Sequence, residues 1–274
     1  MRDRLIFTGE LLFTLLVAAF LVVPAGLSML AGVTVNYFRG IASGVTLQWV
    51  AQVWEVYADT ILLSFVIALA TLVVTLVAGV PAAYALHVRG GRLSRVVEEI
   101  ITLPLAIPGL AIALGLLLTY DSFGAFRRSW AFILVGHVIF TMPFMVRSVM
   151  AVFATVDVKT LDEGAASLGA SPWRRFFDVI VPNAMPGILA GSLMVVTLSL
   201  GEFNLTWMLH TPLTKTLPIG LADSYASMRL EVASAYTLIF FIMIIPLLVA
   251  MQLFADKERA RSRSGPVSCC STSR

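Results

Sequence analysis

Apolar blocks of bilayer-crossing length recur along this chain, and they leave few architectures open. A helix needs roughly 20 apolar residues to cross a bilayer. Blocks near that length occupy residues 9–33, 60–86, 96–120, 129–150, 187–207 and 232–254. The composition agrees: 59% of residues are hydrophobic and 13% charged, where soluble domains carry about 25% charged residues. The expected fold class is all-α integral membrane protein with six transmembrane helices.

Within the blocks, individual residues suggest roles. Residues 11–23 have the length of a signal-peptide centre. The run continuing through 24–33, and Glu10 interrupting its start, favour an uncleaved anchor instead. In the connection 36–59, Val50, Val53, Trp54 and Tyr57 recur at helical spacing beside Trp49. That stripe suits a helix lying at the interface or one packed against neighbouring spans. Ser64, Ala68, Thr71, Thr75 and Gly79 share one face of the second span. Such small residues favour close helix approach, and Thr71 and Thr75 are also candidates to line a path.

Pro104 and Pro108 interrupt the third span, each removing a backbone hydrogen bond. The result is a static kink or a broken helix beside a translocation path. His137, in the fourth span, has no cysteine or carboxylate at metal-ligand spacing, so an interior hydrogen-bonded histidine is expected. Arg147 in the same span is placed to snorkel toward the interface. Gly187 and Gly191 form a G-x-x-x-G step in the fifth span. Glu202, near its far end, is costly unless it faces water or a partner.

Charge sets the orientation. With both termini and the 151–186 loop on one side, fourteen of the nineteen Lys and Arg residues lie there. Only Arg39, Arg127, Arg128, Lys215 and Arg229 lie on the other. Cytoplasmic loops collect basic residues, so the termini and that loop are expected in the cytoplasm. The same rule accounts for the net charge of +3 without nucleic acid. Residues 1–55 are expected to form an anchor and outer connection, residues 56–255 the core, and residues 256–274 a disordered tail. Adjacent Cys269 and Cys270 make a poor disulfide framework; they would stay reduced in the cytoplasm, with lipidation as the alternative.

The polar stretch TLDEGAASLGASPWRRFFDVIVPNAMP, residues 160–186, carries its own helix punctuation. Thr160 and Glu163 have capping-box spacing. Ser171-Pro172 reads as an N-cap with proline at the first helical position. Two short helices are therefore expected, hinged at Gly169-Ala170 and closed by Pro182 and Pro186.

Glu163-Gly164-Ala165, Gly169 and Val179-Ile180-Val181-Pro182 together resemble the E-A-A-x3-G-x9-I-x-L-P loop. That loop marks the permease subunits of binding-protein-dependent ABC importers. Gly164 stands where the pattern has alanine, and the end reads V-I-V-P. The resemblance extends over about residues 51–256. It implies a MetI-like type I importer permease fold in the inner membrane, with both termini cytoplasmic. It also implies a cytoplasmic ABC ATPase docking on Thr160, Glu163, Gly164, Ala165, Ala166, Gly169 and Pro182, with Trp173, Arg174 and Arg175 at the rim. Further implied partners are a second permease subunit, identical or sister, a periplasmic solute-binding protein, and membrane lipid. Pro104, Pro108, Glu202, Thr71 and Thr75 are the candidates for the translocation path.

LPLAIPGL (103–110) and SLGEF (199–203) resemble permeases of the polyamine, ferric iron and phosphonate branch. A polyamine is the leading expectation for the solute, with aminoethylphosphonate and ferric iron behind it. None of Lys159, Lys215 and Lys257 follows glycine, so a Walker A sequence is absent. Patterns for serine hydrolases and zincins are also missing. This subunit is therefore expected to bind no cofactor and to be no enzyme, with ATP used by its partner. Two other classes remain in view: an ion-coupled carrier using Glu202 and His137 as a proton path, and an intramembrane enzyme.

Overall fold

The computed structural model describes residues 2–263. The Cys269-Cys270 pair and the rest of 264–274 lie outside the described residues. Among the described residues the regular elements are all helical, apart from one isolated antiparallel bridge between Thr34 and Val45. The helices are α1 (Arg2–Ala31), α2 (Gln48–Arg89), α3 (Gly91–Thr102), α4 (Gly109–Tyr120), α5 (Trp130–Phe153), α6 (Val158–Ser167), α7 (Pro172–Gly201), α8 (Asn204–Leu209), α9 (Leu217–Ala226) and α10 (Leu230–Arg263). Five of them, α1, α2, α5, α7 and α10, are long and apolar enough to cross a bilayer, and the bent pair α3 and α4 brings the number to six if it is one span.

That pair settles the choice between kink and break. The chain through residues 91–120 bends by 108° between α3 and α4. Pro104 sits in a short 3-10 turn, Leu103–Ala106, and Pro108 precedes α4. Ile107 between them is extended, with φ −99° and ψ 129°. A residue before proline is driven out of the helical region by the proline ring. Two prolines four apart with that residue between them end one helix and start another.

Three other boundaries differ from expectation. The Val50–Tyr57 stripe lies on a helical stretch, residues 48–56, that joins the second span at a kink at Tyr57 (φ −125°, ψ 20°). α10 continues to Arg263, so residues 256–263 of the expected tail are helical. Pro182 and Pro186 close nothing, because α7 runs through both.

Two compact units form, Met1–Leu62 with Lys215–Met243, and Leu63–Thr214 with the chain from Ile244 onward. In the first, the chain after α1 lies directly on α10. A side-chain carbon at Gly32 would fall 2.6 Å from the Ser234 carbonyl carbon and the Ala235 nitrogen. The Tyr37 amide donates to Glu231 at 3.0 Å, and the Trp49 indole donates to the Thr34 carbonyl at 3.0 Å.

In the second unit α5 and α7 pack backbone to backbone. A Cβ at Gly187 would lie 2.6 Å from the Ser148 carbonyl, and one at Gly191 3.2 Å from the Met145 Cα. This is the close approach that a G-x-x-x-G step permits. The core around Met145, Val149, Phe153 and Ala184 continues into Val158 and Ile180. The polar loop is thus rooted in the packing of the spans.

Candidate functional site

The loop after α5 folds as a helix, a sharp turn and a second helix. Its first helix begins one turn earlier than the Thr160 capping box implied. Asp157 is the N-cap: its carboxylate accepts from the Thr160 amide at 3.2 Å and the Thr160 hydroxyl at 2.6 Å. These bonds hold the Asp157 carboxyl below its ordinary pKa. The earlier start also buries Val158 completely in the core, and that burial favours it. Glu163 is left exposed beside Lys159 at 4.0 Å.

The turn is where it was expected. Gly169 has φ +80°, a left-handed conformation that glycine adopts without a Cβ penalty. Its amide donates to the Ala166 carbonyl, and the Ala170 amide donates to Ala165. The two bonds form a Schellman termination. Ser171 then caps α7 through the Arg174 amide, with Pro172 at the first helical position. Three residues later the ladder widens to π geometry over Arg175–Ile180. Proline cannot donate and crowds the carbonyl four residues back. A wider turn ahead of Pro182 accommodates it, and the Asn183 side chain donates to the Val179 carbonyl at 2.7 Å.

One residue passed over by sequence reasoning ties the loop down. Asp162 is 7% exposed. It accepts a hydrogen bond from the Tyr84 hydroxyl on α2 at 2.8 Å and pairs with Arg175 Nη1 at 2.8 Å. Arg175 is therefore half-buried against Asp162, whereas Trp173 and Arg174 are exposed. The signal was available in principle: Asp162 stands four residues after buried Val158, on the same helix face.

The outer face of α6 presents Glu163, Gly164, Ala166 and Ser167, all exposed, with Ala165 half-buried. Leu168, also unremarked in the sequence, is 90% exposed at its end. Nothing lies within 4 Å of where a Cβ at Gly164 would stand. Beyond the turn, Trp173 stacks on Phe177 with ring centroids 6.0 Å apart. Both rings border an apolar groove of about 640 Å³ that also involves Pro81, Tyr84, Phe176 and Met185.

The path candidates separate. Thr71 and Thr75 are fully buried and donate to the carbonyls of Ile67 and Thr71 in their own helix. They serve packing and border no open surface. Gly109, the residue after Pro108, does approach Glu202: a Cβ there would meet Glu202 Oε1 at 3.7 Å. Pro104 stays on the far side of Ile107, in the 3-10 turn. Glu202 Oε1 accepts the Leu205 amide at 2.7 Å, satisfying a first-turn donor of α8.

His137 is buried as expected, with one ring nitrogen 2.8 Å from Ser199 Oγ and the other 2.8 Å from Thr206 Oγ1. It ties α5 to the end of α7 and to α8. Both of its nitrogens are occupied by hydroxyls, and Glu202 is occupied by the backbone.

The sequence signature described as the binding-protein-dependent transport system inner membrane component matches residues 75–260. A putative 2-aminoethylphosphonate transport system permease protein of Salmonella typhimurium is 29% identical over 238 residues, 86% of this chain and 82% of that protein. The molybdenum transport system permease protein of Azotobacter vinelandii is 27% identical over 203 residues, 69% of this chain and 88% of that one. Among solved structures, a chain of a bacterial alginate ABC transporter, in complex with its alginate-bound periplasmic protein, aligns with a TM-score of 0.69. It shares 16% identity and covers 97% of each chain. A chain of the inward-facing MetNI methionine ABC transporter aligns with a TM-score of 0.56 at 18% identity, over 74% of this chain and 92% of that one. At such identities the two structures speak for the fold.

Proposed function

The chain belongs to the family of binding-protein-dependent transport system inner membrane components, and from that premise we propose how it is driven and what it carries. It is a multi-pass permease subunit of an ABC importer. A separate cytoplasmic ATPase docks on the exposed face of α6, from Glu163 to Gly169. A second permease subunit and a periplasmic solute-binding protein complete the assembly.

The observation that carries this reading is the attachment of α6. A short capped helix with a bare outer face is joined through Asp162 to Tyr84 on α2 and to Arg175 on α7. A push on α6 is therefore delivered to two spans. Such coupling works only if the ATPase contacts α6 differently in its two nucleotide states. The chain has no Walker A sequence of its own.

The solute is an oxyanion of the 2-aminoethylphosphonate type. Support comes from the relatives matched over most of the chain, named for aminoethylphosphonate and molybdate transport. They move the expectation away from a polyamine. The test is uptake of 2-aminoethylphosphonate in cells expressing the whole transporter. Gly169→Pro and Glu163→Lys should abolish uptake and copurification with the ATPase while membrane insertion stays intact. Undiminished uptake by either variant would remove α6 as the point where force enters.

A further inference from the structure

A second polar site lies within the unit built from Met1–Leu62 and Lys215–Met243. Here Tyr57, Lys215, Gly220, Asp223, Arg229 and Tyr236 line a cavity of about 200 Å³. That is room for six or seven waters at about 30 Å³ each, and less than the roughly 300 Å³ at which drug-sized pockets begin. It suits a small solute. In chain order Lys215, Gly220, Asp223 and Arg229 belong to the segment between α8 and α10, which the charge bias places on the outer side.

Its chemistry is unusual for a packed helix junction. Tyr236 is 0% exposed, yet its hydroxyl has no hydrogen-bond partner. Buried polar groups are nearly always paired, so this hydroxyl is a donor held ready. The space before it is kept by Gly220, where a Cβ would stand 3.0 Å from the hydroxyl oxygen.

Arg229 lies at the turn between α9 and α10, its amide bonded to the Ser224 carbonyl. One guanidinium nitrogen donates to the Tyr57 hydroxyl at 2.9 Å. No carboxylate pairs with Arg229 among the described residues. Lys215 pairs with Asp223. The charged residues around the cavity thus sum to one excess positive charge, beside a waiting hydroxyl donor. A planar guanidinium with free N–H groups matches phosphate-like oxygens.

We propose that this cavity binds a small oxyanion of the phosphonate class, held by Arg229 and Lys215 and oriented by the Tyr236 hydroxyl. The inference deepens the solute reading above and rests on it for the choice of phosphonate. When the solute also carries an ammonium group, Asp223 is the acceptor at hand.

The experiment uses the assembled transporter in phosphatidylcholine nanodiscs, without nucleotide, titrated calorimetrically with methylphosphonate. Wild type should bind. Tyr236→Phe should weaken binding about tenfold, and Arg229→Gln by at least as much. Gly220→Ala, whose Cβ would stand 3.0 Å from the Tyr236 hydroxyl, should also weaken it. Tyr236→Phe removes only a hydroxyl without a partner, so its ligand-free melting temperature should not fall, and lost affinity there is not lost folding. Equal affinity across wild type and variants would overturn the proposal, as would putrescine binding in place of methylphosphonate. If wild type shows no binding while aminoethylphosphonate uptake proceeds, this inference falls and the permease reading stands.

Discussion

Replacing Asp162 with alanine tests the physical link between loop and spans. The carboxylate is the acceptor for both Tyr84 and Arg175. Its removal leaves a guanidinium facing a void and a phenol without an acceptor; Arg175 Nε is already buried without a partner. Breaking a buried pair from one side costs about 3–5 kcal/mol. The two side chains are 22% and 10% exposed, so water reaches part of the guanidinium and lowers the cost to about 2–3 kcal/mol. At 1.4 kcal/mol per tenfold, α6 should undock roughly thirty to a hundred times more often.

The spans lose no packing, so insertion should be normal. Hydrogen exchange of the amides in Val158–Ser167 is the direct assay, and solute uptake per ATP hydrolysed is the functional one. Faster exchange by that factor, with ATP turnover no longer tied to uptake, is the expected outcome. The double variant Asp162→Ala/Arg175→Ala removes the stranded charge and should recover part of the protection. Exchange within twofold of wild type in Asp162→Ala would refute the claim that this pair holds the loop.

Gly164→Ala should strengthen α6 by about 1 kcal/mol, because the space around Gly164 is open; slower amide exchange with unchanged uptake would bear this out. Gly187→Ala should do the reverse. Its Cβ would press on the Ser148 carbonyl, and overpacking of this kind costs about 1–3 kcal/mol, readable as a lower melting temperature in detergent. The Asp157 cap is pH-dependent with a definite sign. Its carboxyl lies below its ordinary pKa when folded. Its contribution is therefore present above the unfolded value of about 3.9 and is lost as pH falls through the lower folded value. The protection factor of the Thr160 amide, its exchange relative to the unfolded chain at the same pH, should stay constant from neutral pH down to the carboxylate range and then fall.

The sequence exposed the features that depend on short stretches of chain. Six apolar blocks predict six crossings because hydrocarbon thickness sets helix length. The turn at Gly169 and the Ser171-Pro172 start of α7 were legible because each depends on the backbone preferences of one or two residues. The expected capping box failed on a tertiary contact. Thr160 and Glu163 had suitable spacing, but an earlier helix start buries Val158, and burial outweighs one capping bond. The same cause defeated Pro182 and Pro186 as helix ends, since a π turn and tight packing against α5 carry the helix through both.

What the sequence determined alone is a membrane-crossing helical chain with a hinged polar loop, since bilayer thickness and glycine's backbone freedom act locally. Only the tertiary structure decided which side chains meet. Asp162 and Tyr84 are 78 residues apart and Tyr57 and Arg229 are 172 apart. No local preference encodes such pairs. They exist because the packing of the helices brings distant polar groups within bonding range.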